Sequence, residues 1–412
     1  MHKIRTYNKI SSKGLSRFEA GKYTVTDNVS DPDAFILRSQ KLHDEEIPPS
    51  VKAVARAGAG VNNIPIDKFT ERGIVVFNTP GANANAVKEL VASALLMSSR
   101  DIFGGMNYVQ GLTEIKDSSE MSKLLEKQKS QFAGSEISGK ILGVVGLGAI
   151  GSMVANMALE LGMNVIGFDP AMSVEAAWRL SHKVKKMDSL QSLLSQADFI
   201  TMHVPALDVT KHLINSETLT LMKRSAVLLN FAREEVVDSS AVKQALENNK
   251  LSKYVTDFPS PDILGREDVL LMPHIGASTS EAEENCAVMA ADQLMEYLEQ
   301  GNISNSVNFP KTKMPRHGGY RITFCNNNVP KVLGNVLTLL ADCSLNVIDM
   351  VNKSRNETAY NIIDVESEPT QELLEKISSV EGILSVRLLY IVHPNPDRRF
   401  KNLYALENIN VP

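Results

Sequence analysis

The stretch GLGAIG, residues 146–151, decides how this chain is read. Glycine triplets of this spacing arise by chance and often mark only turns, so the flanks carry the argument. The triplet follows the apolar run KILGVV and opens SMVANMALELG, whose apolar residues recur at helical spacing. The next apolar run, NVIGF, ends at the acidic Asp169. Strand, glycine turn, helix, strand and acid in this order is what a dinucleotide-binding βαβ unit needs. Gly146 allows the tight turn, Gly148 lets the backbone approach a pyrophosphate, and Gly151 permits close packing of helix on strand. The helix N-terminus offers free N–H groups and partial positive charge to the phosphates. Asp169 suits the two ribose hydroxyls and would repel a 2′-phosphate. No arginine follows it, so NAD is favoured over NADP.

Outward from this unit, short apolar runs alternate with helical stretches. AFILRS, VKAVARAG and IVVFNTP precede it, and DFITMHVP, AVLLNFA, KYVTDF and VLLMPH follow. Such alternation is the signature of parallel sheets covered by helices. A long helix is expected from about Ala86 through KELVASALLMSSR, then a polar stretch over residues 115–134. Another is expected over EAEENCAVMAADQLMEYLEQG, with Gly301 as its C-terminal cap. After the linker NFPKTKMPRHGG the pattern becomes β-α-β-β-α-β, a ferredoxin-like unit. The expected fold class is therefore α/β: two doubly wound parallel-sheet domains, one substrate-binding and one dinucleotide-binding, plus the ferredoxin-like unit. The single Trp178 and the methionines 153 and 157 are expected to pack.

Composition narrows the function. The 412 residues suffice for two or three domains, and a net charge of −5 predicts no attraction to nucleic acid. No apolar run reaches bilayer-spanning length, so no membrane partner is expected. The start, MHKIRTYNKI, alternates like a strand and lacks the apolar core of a signal peptide. Three cysteines without CxxC spacing argue against a disulfide framework and a metal site, which fits the cytoplasm.

Three clusters end successive strands of the dinucleotide-binding sheet. NFAREEVVD places Arg233 there, a planar fork matched to a carboxylate. TDFPSPD supplies Asp257 and Asp262, and PHIGAST supplies His274. Alone, His274 is better read as a packed core residue. Ligands of open α/β sheets collect at the carboxyl ends of strands. An arginine, an acid and a histidine there form a hydride-transfer constellation, with the imidazole as general base.

These residues carry a resemblance. GLGAIG with Asp169, HVPALDVTKHLIN, NFAR with VVD, and PHIGAST resemble the D-2-hydroxyacid dehydrogenase family in order and spacing. ARAGAGVNNI and the last β-α-β-β-α-β unit, which resembles an ACT domain, narrow the resemblance to the branch that oxidises 3-phospho-D-glycerate with NAD. It implies a substrate-binding domain of residues 1–95 and 286–312, an NAD-binding domain of 96–285, an ACT-like domain of 318–393, and a polar tail of 394–412. It implies cofactor contacts from Gly146, Gly148, Ala149, Ile150, Gly151, Asp169, Val204, Phe231, Ala232, Asp257 and Gly276. Arg233, Asp262 and His274 would be catalytic, with Asp262 holding the imidazole and Glu267 or Asp268 as alternatives. Arg233 and His274 would also touch substrate, along with Gly81 and Asn83 at its carboxylate and Arg38 and Arg56 at its phosphate.

The sequence departs from the family at four places. The family's acid is usually Glu within an FPxEP-like run, which FPSPD lacks, although Asp262 stands 29 residues after Arg233, where an ungapped match puts that acid. Glu234 follows the catalytic arginine where glycine is usual, and Lys331 replaces the glycine after the loop proline of the ACT-like unit. Asn326 stands where serine-sensitive relatives can carry histidine. Asn328 and Asn346 fall where the resemblance expects amides that bind a serine effector. The expected assembly is a homodimer or homotetramer. Two other readings share the core motifs: a reductase for glyoxylate or hydroxypyruvate, and an NAD-sensing protein resembling the C-terminal-binding-protein corepressors.

Overall fold

The computed structural model describes residues 1–316 and 318–390. The expected tail over 394–412, and residues 391–393 of the expected ACT-like domain, lie outside them. The chain divides into two compact units, Met1–Thr79 with Cys286–Pro412, and Pro80–Asn285. Among the described residues no helix is long and apolar enough to cross a membrane.

In the first unit, five parallel strands are β1 (His2–Thr6), β2 (Tyr23–Thr26), β3 (Ala34–Leu37), β4 (Ala53–Arg56) and β5 (Val75–Phe77), in the order β2-β1-β3-β4-β5. AFIL of β3 and VVF of β5 are buried throughout, as strands covered on both faces must be. Phe35, Leu37, Val54, Phe69 and Val76 share one apolar core.

The second unit holds seven parallel strands: β6 (Ile141–Val145), β7 (Asn164–Phe168), β8 (Lys185–Lys186), β9 (Phe199–Met202), β10 (Val227–Asn230), β11 (Lys253–Thr256) and β12 (Val269–Leu271). Their order, β12-β11-β10-β9-β6-β7-β8, reverses direction between β6 and β9, where the glycine turn follows β6. Helix Ala84–Ser99 packs here, because Val87, Val91 and Leu95 join the core of Val144, Val154 and Val165. The sequence reading puts the domain boundary near residue 95, whereas packing puts it at Pro80. The polar stretch after it contains a helix, Ser118–Gln128, whose start is capped by the Asp117 side chain.

The ferredoxin-like unit packs within the first unit. Its strands β13 (Tyr320–Asn327), β14 (Val347–Arg355), β15 (Thr358–Val365) and β16 (Ile383–Leu389) form an antiparallel sheet in the order β14-β15-β13-β16. One face buries Ile322, Phe324, Ile363 and Val365 against Val336, Leu340, Leu373 and Ile377 of its two helices. From the other face, arginines meet the end of helix Ser280–Gln300. Arg321 donates to Gln300 O at 2.9 Å, and Arg387 donates to Leu298 O at 3.1 Å and Tyr297 O at 3.3 Å. Arg316 from the linker donates to Glu299 O at 3.4 Å. The carbonyls of residues 298–300, which the helix leaves without partners, and Tyr297 O, which also accepts from Gly301 N at 2.9 Å, thus meet cations that also oppose the helix dipole. Gly301 caps the helix at φ +70°, as expected.

Candidate active site

The glycine turn has the shape a dinucleotide needs. Gly146 adopts φ +88°, and a Cβ there would meet His203 O at 2.6 Å. A Cβ at Gly151 would run into Gly146 O, whereas one at Gly148 would meet nothing within 4 Å. The backbone at Gly148 is therefore open to a phosphate. Helix Ala149–Glu160 starts there with no side-chain cap, leaving its first N–H groups to a ligand. Asp169 accepts from Leu147 N and from Ala171 N, both at 2.8 Å, which fixes the acid beside the turn. Val204 packs beside Gly146, Ile150 borders the apolar core, and Phe231 and Ala232 are buried. The residues present fit NAD.

A hydrogen-bonded chain joins the next three strand ends. Buried Asn230 ends β10, and its amide donates to Arg233 O at 2.9 Å and accepts from Ala232 N at 3.1 Å. Its carbonyl accepts from Thr256 Oγ1 and Asp257 N at the end of β11, at 3.1 and 3.2 Å. Asp257 O accepts from His274 N at 3.1 Å. The Asp257 carboxylate accepts from Ile275 N at 2.7 Å and Gly276 N at 2.6 Å. Asp257, expected at the cofactor, thus holds the histidine loop. Sequence reading missed Asn230, whose signal was a polar residue ending an apolar strand just before the arginine.

His274 is exposed and adopts φ +55°, an uncommon conformation in which histidine is over-represented. Its ring lies 5.0 Å from Phe258 between centroids. Asp262 does not reach it. That carboxylate turns to Ser240 Oγ, which donates at 3.5 Å, because residues Pro261–Ile263 form a 3-10 turn facing the preceding helix, Ser239–Glu247. Asp268 is gripped by the Arg266 fork at 2.8 and 2.9 Å, and Glu267 is exposed. Among the described residues no ion pair or hydrogen bond joins the His274 ring to a carboxylate. Loop backbone and Phe258 orient it instead. Arg233 is exposed, its Nη1 donating to Ala232 O at 2.6 Å, and no ion pair ties it to Glu234.

Gly81 adopts φ +82°, and a Cβ there would lie 3.0 Å from Ala149. Residues 81–83 therefore adjoin the nucleotide turn, and the Asn83 amide makes no capping bond. In the first unit, Arg38 directly follows β3 and Arg56 ends the neighbouring β4, and Arg56 Nε donates to Arg38 O at 3.1 Å. Asn328 and Asn346 are not brought together within one chain. Asn328 N donates to Glu357 O beyond the end of β14, while Asn346, before its start, donates to Glu366 at 2.8 Å. Trp178 is 85% exposed rather than packed, because its short helix turns that face outward.

Comparison with known proteins places this geometry. The family described as D-isomer specific 2-hydroxyacid dehydrogenase, NAD binding domain, matches residues 105–276. The D-3-phosphoglycerate dehydrogenase of Haemophilus influenzae is 33% identical over 357 residues, 84% of this chain and 83% of that protein. The Escherichia coli K12 enzyme of the same name is 29% identical over 411 residues, 92% of this chain and 96% of that one. The crystal structure of apo D-mandelate dehydrogenase from Rhodotorula graminis shares the fold, with a TM-score of 0.63 at 23% identity over 76% of this chain and 99% of that one. The chain is an NAD-dependent dehydrogenase and belongs to the D-isomer-specific 2-hydroxyacid dehydrogenases, in the family of the D-3-phosphoglycerate dehydrogenases.

Proposed function

We propose that the enzyme oxidises 3-phospho-D-glycerate to 3-phosphohydroxypyruvate, the first step of serine biosynthesis, as a cytoplasmic homo-oligomer. The observation that carries the phosphorylated substrate is the placement of two arginines at adjacent strand ends, Arg38 just past β3 and Arg56 ending β4, linked by the Arg56 Nε bond to Arg38 O. Two guanidinium groups suit a phosphate, to which each offers charge-assisted bonds. The relatives' shared activity supports the same substrate.

Oxidation at C2 removes a hydride from carbon and a proton from the hydroxyl, leaving a carbonyl. NAD, held by the glycine turn and Asp169, supplies the hydride acceptor when bound. His274 takes the hydroxyl proton, work an imidazole does near neutral pH. Arg233 grips the C1 carboxylate through its planar fork and polarises the C2 oxygen. Backbone N–H groups of residues 81–83 add contacts to that carboxylate, beside the nucleotide turn. Asn230 and Asp257 hold the arginine and histidine loops at neighbouring strand ends, so the reacting groups are placed before substrate arrives. A serine site combining Asn328 and Asn346 would draw them from two copies of the ferredoxin-like unit.

The test is NADH consumption with phosphohydroxypyruvate, hydroxypyruvate and glyoxylate side by side. The expected kcat/KM is roughly 10²-fold higher for the phosphorylated compound, since bonds to a charged group contribute about 1.5–3 kcal/mol each. Equal or reversed preference would identify a reductase for another 2-hydroxy acid. NADH binding without turnover would identify a sensor.

A further inference from the structure

We propose that Asn8 and Asn63 are positioning residues for the substrate phosphate, acting through the turn at residues 38–40; this rests on the phosphate reading of Arg38 and Arg56 above. Three side chains converge on that turn. Asn8 Oδ1 accepts from Ser39 N at 3.0 Å and from Gln40 N at 2.8 Å. Asn63 Nδ2 donates to Gln40 O at 2.7 Å and to Arg38 O at 3.4 Å. Arg56 Nε donates to the same Arg38 carbonyl at 3.1 Å. The Asn63 backbone also accepts from Leu42 N at 2.9 Å, so the far side of the turn is held as well.

The arrangement sets the plane of the Arg56 guanidinium. Its Nε edge is committed to Arg38 O, so the position of that carbonyl decides where the fork points. Its Nη1 lies against Gly58, where a Cβ would collide with it, and a Cβ at Gly60 would stand 3.6 Å away. The carbonyl is placed by the two asparagines. Asn63 is only 7% exposed, and its Oδ1 is buried without a partner. Asn8 adopts φ +62°, a conformation asparagine tolerates better than most residues, so its amide can face the turn.

Asn8→Gly isolates the effect, because glycine accepts the same backbone conformation and removes only the amide. KM for phosphohydroxypyruvate is expected to rise about 5-fold, the scale of one or two lost hydrogen bonds, with kcat unchanged. KM for hydroxypyruvate should move less than twofold. In an Arg38→Ala background, Asn8→Gly should add little, because its effect runs through that turn. Equal rises for both substrates, an unchanged KM for the phosphorylated one, or full additivity with Arg38→Ala would overturn the inference. A wild-type enzyme with no preference for phosphohydroxypyruvate would instead remove the phosphate reading itself.

Discussion

Gly276 donates its backbone N–H to Asp257 Oδ2 at 2.6 Å, and Ile275 donates to the other carboxylate oxygen at 2.7 Å. One buried acid at the end of β11 therefore holds both peptide groups that follow His274. A Cβ at Gly276 would lie 3.0 Å from that oxygen, so the loop approaches closely only because residue 276 is glycine. Charge-assisted bonds of this kind are about twice as strong as neutral ones.

Asp257→Asn keeps one acceptor but presents an N–H₂ group to the second peptide N–H. The expected result is a loss of about 1–3 kcal/mol in stability and a kcat reduced roughly 10-fold or more as the loop loosens. Chemical unfolding and steady-state rates measure the two effects. Unchanged kcat in a folded variant would show that Asp257 does not position the base.

His203 lies beneath the glycine turn, where Nε2 shares a 2.9 Å bond with Thr201 Oγ1 and Nδ1 is buried without a partner. The residue as a whole is only half-buried, but the enclosure of its ring governs its titration. Burial pushes its pKa down to about 3. The unfolded chain takes up a proton near pH 6.5 and the folded one does not. Stability should therefore be full above about pH 6.5 and fall on acidification toward pH 3, by up to about 1.4 kcal/mol per unit. Thermal midpoints between pH 7 and 4 should fall less steeply in His203→Gln. Parallel profiles would exclude His203 as the cause.

Arg321 and Asp364 form an ion pair with both side chains 0% exposed, joined by bonds of 2.7 and 2.8 Å. Removing one partner of such a pair leaves a buried charge alone and costs about 3–5 kcal/mol. Arg321→Met should show that loss in chemical unfolding, and Arg321→Met with Asp364→Leu should recover much of it. If the double variant is no better than the single one, the carbonyl contacts of Arg321 matter more than its acid.

Lys331 adopts φ +75°, where glycine has no Cβ penalty. Lys331→Gly is expected to stabilise the ferredoxin-like unit by about 0.5–1 kcal/mol, read as a higher unfolding midpoint. A lower midpoint would mean that the lysine side chain contributes more than the backbone conformation costs.

Much of this architecture is legible in the sequence because buried parallel strands and amphipathic helices write their periods directly. GLGAIG between an apolar run and a helical pattern, with Asp169 one strand later, foretells the nucleotide unit, and the β-α-β-β-α-β pattern foretells the last sheet. What fails depends on side-chain direction. Asp262 stands at a plausible distance along the chain, yet its turn faces Ser240. Trp178 reads as packing by residue type alone, but its helix has too few neighbours to cover it. Helix Ala84–Ser99 follows strands of the first unit in sequence and still packs with the second, because its apolar stripe matches helix Ala149–Glu160.

The most direct test of the account is His274→Asn, since asparagine accepts the same backbone conformation and cannot serve as the base. NADH affinity, read by fluorescence titration, should stay within about twofold, while kcat with phosphohydroxypyruvate should fall roughly 10²–10⁴-fold. A variant that binds NADH normally and turns over at the wild-type rate would contradict the assignment of His274 as the group that moves the proton.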